Sequence, residues 1–218
     1  TPVILLTDGY LANASEPWLI PNIESLETFP VKFHTEPNGF HPFMRNEETL
    51  ARAWAVPGTP GLEHRIGGLE KDYSTSNISY DPANHQRMTE VRAKKISGIA
   101  DELALQEISF GPSEGSLAVV GWGSTFGAIE EAVHAVDEEG LKVAHIHIDY
   151  LNPMPKNMAS LLSGYKSILV PEMNSGQLVK LLRSAYLVPA EGLNKVTGQP
   201  FKVKEISSAI RAKLGNKK

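Results

Sequence analysis

The chain has 218 residues, 41% of them hydrophobic, and 21 basic against 25 acidic side chains, a formal net charge of −4. That is enough apolar material for one good core and a second, smaller unit, and it lacks the basic excess or stripe of a nucleic-acid surface. Cysteine is absent, which excludes disulfides, thiolate nucleophiles and cysteine-ligated iron–sulfur clusters from these residues and fits a cytoplasmic protein. No apolar run reaches transmembrane length, so no contact with a membrane is expected. The start has no basic residue ahead of its short apolar run and does not read as a signal peptide.

That run, Pro2-Val3-Ile4-Leu5-Leu6-Thr7, reads as a strand buried on both faces of a parallel sheet and is ended at once by Asp8-Gly9. A strand of this kind cannot stand alone, so a preceding domain is expected. Residues 10 to about 79 show weak periodicity and many breakers, among them Pro30, Pro37, Pro42, Pro57 and Pro60. Aromatics run through the same stretch, Trp18, Phe29, Phe33, Phe40, Phe43 and Trp54. Disordered linkers are poor in aromatics, so the expectation is an ordered but irregular excursion that packs on another domain or subunit. Asp81-Pro82 opens a helix, with Asp as N-cap and Pro at the first helical position. Met88, Val91, Ile99 and Leu103 fall near one face of it, and Gly98 weakens it.

From residue 115 the pattern becomes regular. A buried strand over 116–122 is followed by a helix over 125–139 that closes at Gly140. A strand over 142–149, a short helix over 155–164, a strand over 167–171 and a helix over 176–186 come next. A fourth short strand is expected over 201–203 and a closing helix over 204–214. Strands alternating with helices predict an α/β fold with an open, mostly parallel sheet and helices on both faces. The expected division is 1–9 as the last strand of a truncated domain, 10–114 as the irregular segment and connecting helix, and 115–218 as the α/β domain.

Two strand ends carry candidate chemistry. The turn Gly121-Trp122-Gly123-Ser124-Thr125-Phe126-Gly127 leads from a strand into a helix N-terminus, where free N–H groups and the helix dipole suit a phosphate or carboxylate. Its glycine spacing is not a dinucleotide fingerprint and it lacks a P-loop lysine. The alternative is a tight turn with Ser124 as N-cap. Glu172-Met173-Asn174-Ser175-Gly176-Gln177 follows the third strand, at the carboxyl edge where open α/β sheets bind ligands. Its alternative is again capping, by Asn174 or Ser175. The candidate ligand or interface positions are therefore Gly123, Ser124, Thr125, Glu172 and Asn174. His145, His147 and Asp149 alternate along the second strand and share a face, but a third metal ligand is not evident, so hydrogen bonding under a helix or at the sheet edge is the expectation. Glu63-His64-Arg65 with Glu70-Lys71-Asp72 reads as a solvated or subunit-facing salt network. No catalytic residue and no metal ligand is assigned.

Several longer strings carry a resemblance. Pro57-Gly58-Thr59-Pro60-Gly61-Leu62-Glu63-His64-Arg65-Ile66-Gly67-Gly68-Leu69-Glu70-Lys71 resembles the alpha subunit of 2-oxoglutarate:ferredoxin oxidoreductases. So do Asn77-Ile78-Ser79-Tyr80-Asp81-Pro82-Ala83-Asn84-His85-Gln86-Arg87-Met88 and Val91-Arg92-Ala93-Lys94-Lys95-Ile96. The opening Pro2 to Ala12 resembles the last strand of that family's pyrimidine-binding domain with the loop after it. Residues 115–218 resemble the transketolase C-terminal-like domain of thiamine-dependent enzymes, on Asp149-Tyr150-Leu151-Asn152-Pro153-Met154-Pro155 and Val170-Pro171-Glu172 with Gly176-Gln177.

The resemblance implies an enzyme that decarboxylates 2-oxoglutarate on thiamine pyrophosphate with Mg, passes electrons through iron–sulfur clusters to ferredoxin, and hands the acyl group to coenzyme A. It also implies a hetero-oligomer with a beta subunit. The cofactors would be bound wholly or partly by other domains or subunits, leaving these residues to assembly, cofactor-site support and coenzyme A contact. A pyruvate or branched-chain 2-oxoacid enzyme is the alternative within the family. A non-catalytic anion- or nucleotide-binding module, or a subunit-interface module, is the alternative class.

Overall fold

The computed structural model describes residues 3–15, 17 and 19–215, without the side chain of Tyr10. Pro2 and Trp18, named above, lie outside them. The chain divides into two compact units, Thr1–Ser15 with Leu103–Lys218, and Glu16–Glu102.

The first unit begins with residues 3–8, which adopt no regular structure, and a short helix α1, Gly9–Asn13. Val3, Ile4 and Leu5 are 91%, 82% and 84% exposed, so the run has the composition of a buried strand without a strand beside it among the described residues.

The second unit is held mainly by loops and isolated bridges, Phe33↔Trp54, Arg45↔Arg52 and Lys71↔Ile78. Its long helix α2 spans Pro82–Gly98, and the Asp81 carboxylate accepts hydrogen bonds from the N–H groups of Ala83 and Asn84, as the sequence predicted. The charged residues of 63–72 do not pair with one another; of the expected salt network, only the ion pairs of Glu70 are present among the described residues. Lys71 is buried and donates to the carbonyls of Gly67 (2.8 Å) and Leu69. Glu70 pairs with His85 and Arg92, and Asp72 accepts from the N–H groups of Ser74 and Thr75. Lys71 and Asp72 satisfy their charges on the main chain of adjoining turns, whereas Glu70 reaches across to α2.

The rest of the first unit is a three-layer α/β/α fold. Its elements are β1 (Ala118–Trp122), α3 (Phe126–Glu138), β2 (Ala144–Ile148), α4 (Met158–Ser163), β3 (Ile168–Glu172), α5 (Gln177–Tyr186), β4 (Ala190–Asn194) and α6 (Val203–Gly215). The strands lie in the order β2-β1-β3-β4, all parallel. One face packs Val120, Ile146 and Val170 against Met158, Leu162 and Leu182 of α4 and α5. The other packs Val119 and Leu169 against Ile129, Val133 and Ile210 of α3 and α6. Each such aliphatic side chain, fully buried, contributes about 1.5–3 kcal/mol.

The fourth strand differs from the expectation. It is Ala190–Asn194, paired with β3 from Ile168↔Ala190 to Glu172↔Asn194. Phe201 and Lys202 are instead a loop that leads into α6 at Val203, and Phe201 plugs the core between α3 and α6.

The outer edge of β2 is sealed by residues 105–110. Ser109 N–H donates to the His145 carbonyl, His145 N–H to the Phe110 carbonyl, both at 2.8 Å, and the Gln106 side chain donates to the His147 carbonyl at 2.7 Å. Gly111 ends this strip at φ +92°, where a Cβ would stand 2.2 Å from the Val143 carbonyl oxygen. Only glycine combines that conformation with that approach. Among the described residues no helix is long and apolar enough to cross a membrane.

Candidate functional site

The chain reverses its winding between β1 and β3. From β1 the connection runs out to β2, and from β3 it runs the other way to β4. The β1–β2 register covers five pairs, but β1–β3 covers only Ala118↔Ile168 and Val119↔Leu169. Pro171, near the end of β3, has no N–H with which to continue a ladder. The carboxyl ends of the two central strands therefore part, and the loops after them flank a crevice of about 410 Å³. Such a crevice is where open α/β sheets take ligands.

Four of the five candidate residues meet there. Gly123, Ser124 and Thr125 lie on the β1 side and Asn174 on the β3 side, with Trp122 and Gln177 beside them. The β1 turn is a 3-10 turn over Gly123–Thr125, begun by Gly123 at φ +58°. Thr125 is buried; its hydroxyl accepts from Trp122 N–H at 3.3 Å and donates to the Trp122 carbonyl at 2.8 Å. Ser124 is not the N-cap. Its hydroxyl donates to the carboxylate of Asp8, and Leu6, Thr7 and Leu11 line the crevice with it. The carboxylate that the turn suits is thus supplied by the chain itself. Sequence reasoning read Asp8 only as the end of a strand; 116 residues separate it from Ser124.

Glu172 sits behind the crevice, fully buried. Its carboxylate accepts from the N–H groups of Leu178 (2.7 Å) and Val179 (3.1 Å) at the start of α5, and from the Asn174 side-chain amide at 3.1 Å. The Asn174 oxygen accepts from Gly176 and Gln177 N–H at 2.8 and 2.9 Å. The β3 loop is therefore a capping assembly, with an anion at a helix N-terminus. It rigidifies one wall of the crevice.

If the Asp8–Ser124 contact tethers residues 3–8, Asp8→Ala raises their rate of cleavage by thermolysin about threefold, the value of one exposed hydrogen bond. Asp8→Asn, whose amide oxygen still accepts, restores most of the protection. Equal cleavage of all three proteins would show that the contact holds nothing.

His145 and His147 share a sheet face, as their alternation predicted, but they do not find the hydrogen bonds expected of them. Both ring nitrogens of the fully buried His145 and Nδ1 of His147 lack a partner among the described residues. Phe126 packs against both rings, at centroid distances of 5.2 and 5.0 Å. Burial, then His147 and His134, pushes the His145 imidazole down to about 4. Burial also lowers His147, partly opposed by Asp149. Among the described residues no group of three metal-ligating side chains comes together.

Residues 116–206 match the family model of pyruvate:ferredoxin oxidoreductase core domain II. The chain is 45% identical over 217 residues to the 2-oxoglutarate oxidoreductase subunit KorA of Mycobacterium tuberculosis, covering 100% of this chain and 33% of that protein. It is 29% identical to the 2-oxoacid:ferredoxin oxidoreductase subunit alpha of Saccharolobus solfataricus, over 97% of this chain and 34% of the relative. Among solved structures it is similar to the 2-oxoglutarate:ferredoxin oxidoreductase of Magnetococcus marinus with 2-oxoglutarate, coenzyme A and succinyl-CoA bound. That match has a TM-score of 0.81 and 28% identity, and covers 89% of this chain and 34% of that one. The chain spans about a third of the length of these relatives. Over that third, the chain is a homologue of the 2-oxoglutarate oxidoreductase subunit KorA, and its residues 116–206 match core domain II of pyruvate:ferredoxin oxidoreductase.

Proposed function

We propose that this chain is the C-terminal portion of the alpha subunit of a thiamine-pyrophosphate-dependent 2-oxoglutarate:ferredoxin oxidoreductase. The enzyme converts 2-oxoglutarate to succinyl-coenzyme A by oxidative decarboxylation and reduces ferredoxin, in the cytoplasm, as a hetero-oligomer with a beta subunit. The observation that carries this reading is the 45% identity to a 2-oxoglutarate oxidoreductase subunit, which extends over the whole chain.

Within that enzyme these residues serve assembly. Residues 1–9 complete the sheet of a preceding pyrimidine-binding domain, residues 10–114 form the interdomain segment with its connecting helix, and residues 115–218 form the α/β domain. The exposed apolar run Val3 to Leu6 supports the first of these, because such a run is stable only between neighbouring strands. The crevice between β1 and β3 then grips the loop that leaves the preceding domain, through Ser124 and Asp8. Gly123, Thr125 and Asn174 shape that seat, Glu172 stiffens it, and coenzyme A approaches from the solvent side of the same loops. Thiamine pyrophosphate supplies the stabilised carbanion that decarboxylation requires. Iron–sulfur clusters do not fit these residues, since cysteine is absent.

The test is reduction of ferredoxin by the full-length alpha subunit assembled with its beta subunit. Turnover should require both 2-oxoglutarate and coenzyme A, and pyruvate should be at least about tenfold poorer, as expected when a site built for a second carboxylate loses that partner. The 218-residue chain alone should be inactive. Activity of the isolated chain, or a preference for pyruvate by the complex, would sink the reading.

A further inference from the structure

The second unit concentrates positive charge in one place, although the chain as a whole is acidic at −4. Arg45 and Arg52 face each other across an antiparallel bridge closed by a tight loop, with Asn46 N–H on the Ala51 carbonyl (2.9 Å) and Leu50 N–H on the Asn46 carbonyl (3.0 Å). Arg92 and Lys95, on α2, are close enough for their charges to act on this pair, Arg92 on Arg45, and Lys95 on both arginines. Arg45 and Lys95 are only half-exposed; burial first, and then the neighbouring cations, hold both below their ordinary range. For Arg45 those neighbours are Arg52 and Arg92, and for Lys95 they are Arg45 and Arg52.

The fold holds three of these groups without a carboxylate partner among the described residues, and the fourth, Arg92, shares one. Arg45 Nη1 donates to the Leu50 carbonyl at 3.0 Å, while its Nε is enclosed with no partner. The Arg52 guanidinium lies 4.7 Å from the centre of the Phe43 ring, which also carries the Lys71 ammonium at 5.1 Å. Glu70 reaches Arg92 at 3.2 Å but is shared with His85. Among the described residues no carboxylate pairs with Arg45, Arg52 or Lys95. A cluster of like charges that is partly desolvated costs stability, and a bound anion removes that cost.

We propose that Arg45, Arg52, Arg92 and Lys95 form a binding seat for a phosphate-class anion carrying two or more negative charges. Three guanidinium groups and an ammonium match several phosphoryl oxygens, whereas a single carboxylate would leave most of the charge unmet. The recess favours a small anion of high charge over an acidic peptide, because two of the four cations are half-buried and a peptide backbone would reach only the exposed pair. The inference stands apart from the enzymatic reading; it concerns a different unit of the chain and needs no turnover.

The test is calorimetric titration of the whole chain at low ionic strength with inorganic pyrophosphate, and separately with adenosine diphosphate. Both should bind saturably, and similar affinities would mark the diphosphate itself as the group recognised. Arg52→Gln and Lys95→Gln should each weaken binding about tenfold, the worth of one charge-assisted hydrogen bond. Arg52 is solvent-exposed and its bridge is made by main chain, so the first variant keeps its fold, and the second reports on the other element. Ser124→Ala, in the crevice of the other unit, should leave the affinity unchanged. Absence of saturable heat from both anions would overturn the proposal, and so would binding that survives both charge-removing substitutions.

Discussion

Lowering the pH from about 6.5 to about 4 should strip up to about 3 kcal/mol of stability from the α/β unit through His145 alone. The unfolded chain takes up a proton on this imidazole near its ordinary value. The folded one does so only near 4, because burial and the neighbouring His147 and His134 oppose the charge. The stability is therefore complete above about 6.5, falls by about 1.4 kcal/mol per pH unit below it, and levels off below about 4. Urea midpoints across that range measure the slope. His145→Leu isolates the contribution, since carboxylates titrate alike in both proteins. Neither ring nitrogen has a partner, so the substitution should be neutral or slightly stabilising at pH 7.5. It should flatten the acid limb between 6.5 and 5. An unchanged limb would show that His145 is protonated in the folded state well above 4.

Glu172→Ala should cost roughly 3 kcal/mol in the same assay. The substitution leaves the N–H groups of Leu178 and Val179 buried without an acceptor, frees the Asn174 amide and empties a fully buried volume. Glu172→Gln should lose about half as much. Its oxygen can still accept from Leu178, but its NH2 then faces the N–H of Val179, donor against donor. A loss below about 1 kcal/mol for the alanine variant would mean that water or a neighbouring group replaces the carboxylate. The loss should fall on stability and not on the Asp8–Ser124 contact, which lies across the crevice.

The legible parts of the fold are those whose physics is local. Strands β1 and β3 are largely apolar runs bounded by turn residues because both their faces are covered, and β2 shows itself by the alternation of Ala144, Ile146 and Ile148 with its two histidines. Helix α2 announced itself through Asp81-Pro82, and α3 through the spacing of Ile129, Val133 and Val136 with Gly140 after it. Ala190–Asn194 carries no such run. It is a strand because its main chain completes the β3 ladder, a property of the partner and not of its own side chains. Phe201-Lys202-Val203 misled in the opposite sense, since its alternation reflects one aromatic plug and not a pleat. The carboxyl edge of the sheet was legible as the ligand side, but the crevice itself follows from the strand order, which no local pattern reveals. Nor was its occupant legible, because the pairing of Asp8 with Ser124 is a tertiary contact. Four of the five candidate residues line the crevice and Glu172 lies behind it, and their places as wall, seat and cap separate only once the hydrogen bonds are seen. The basic cluster escaped notice because Arg45 and Arg52 are joined by a bridge, and meet Lys95 only through packing.

The two margins of the sheet are unequal. One is closed by the strip 105–110, with Gly111 making the turn that allows it, while no strand among the described residues pairs with the outer edge of β4. A sheet with one free margin can meet a second copy of itself only once, edge to edge, and the pair then has no margin left to recruit a third. Opening the other side would change the arithmetic of growth from two to any number, because each added molecule would present a fresh edge. The strip that satisfies the main chain of His145 and His147 thus leaves edge pairing one margin instead of two, and Gly111 makes the turn that keeps it so.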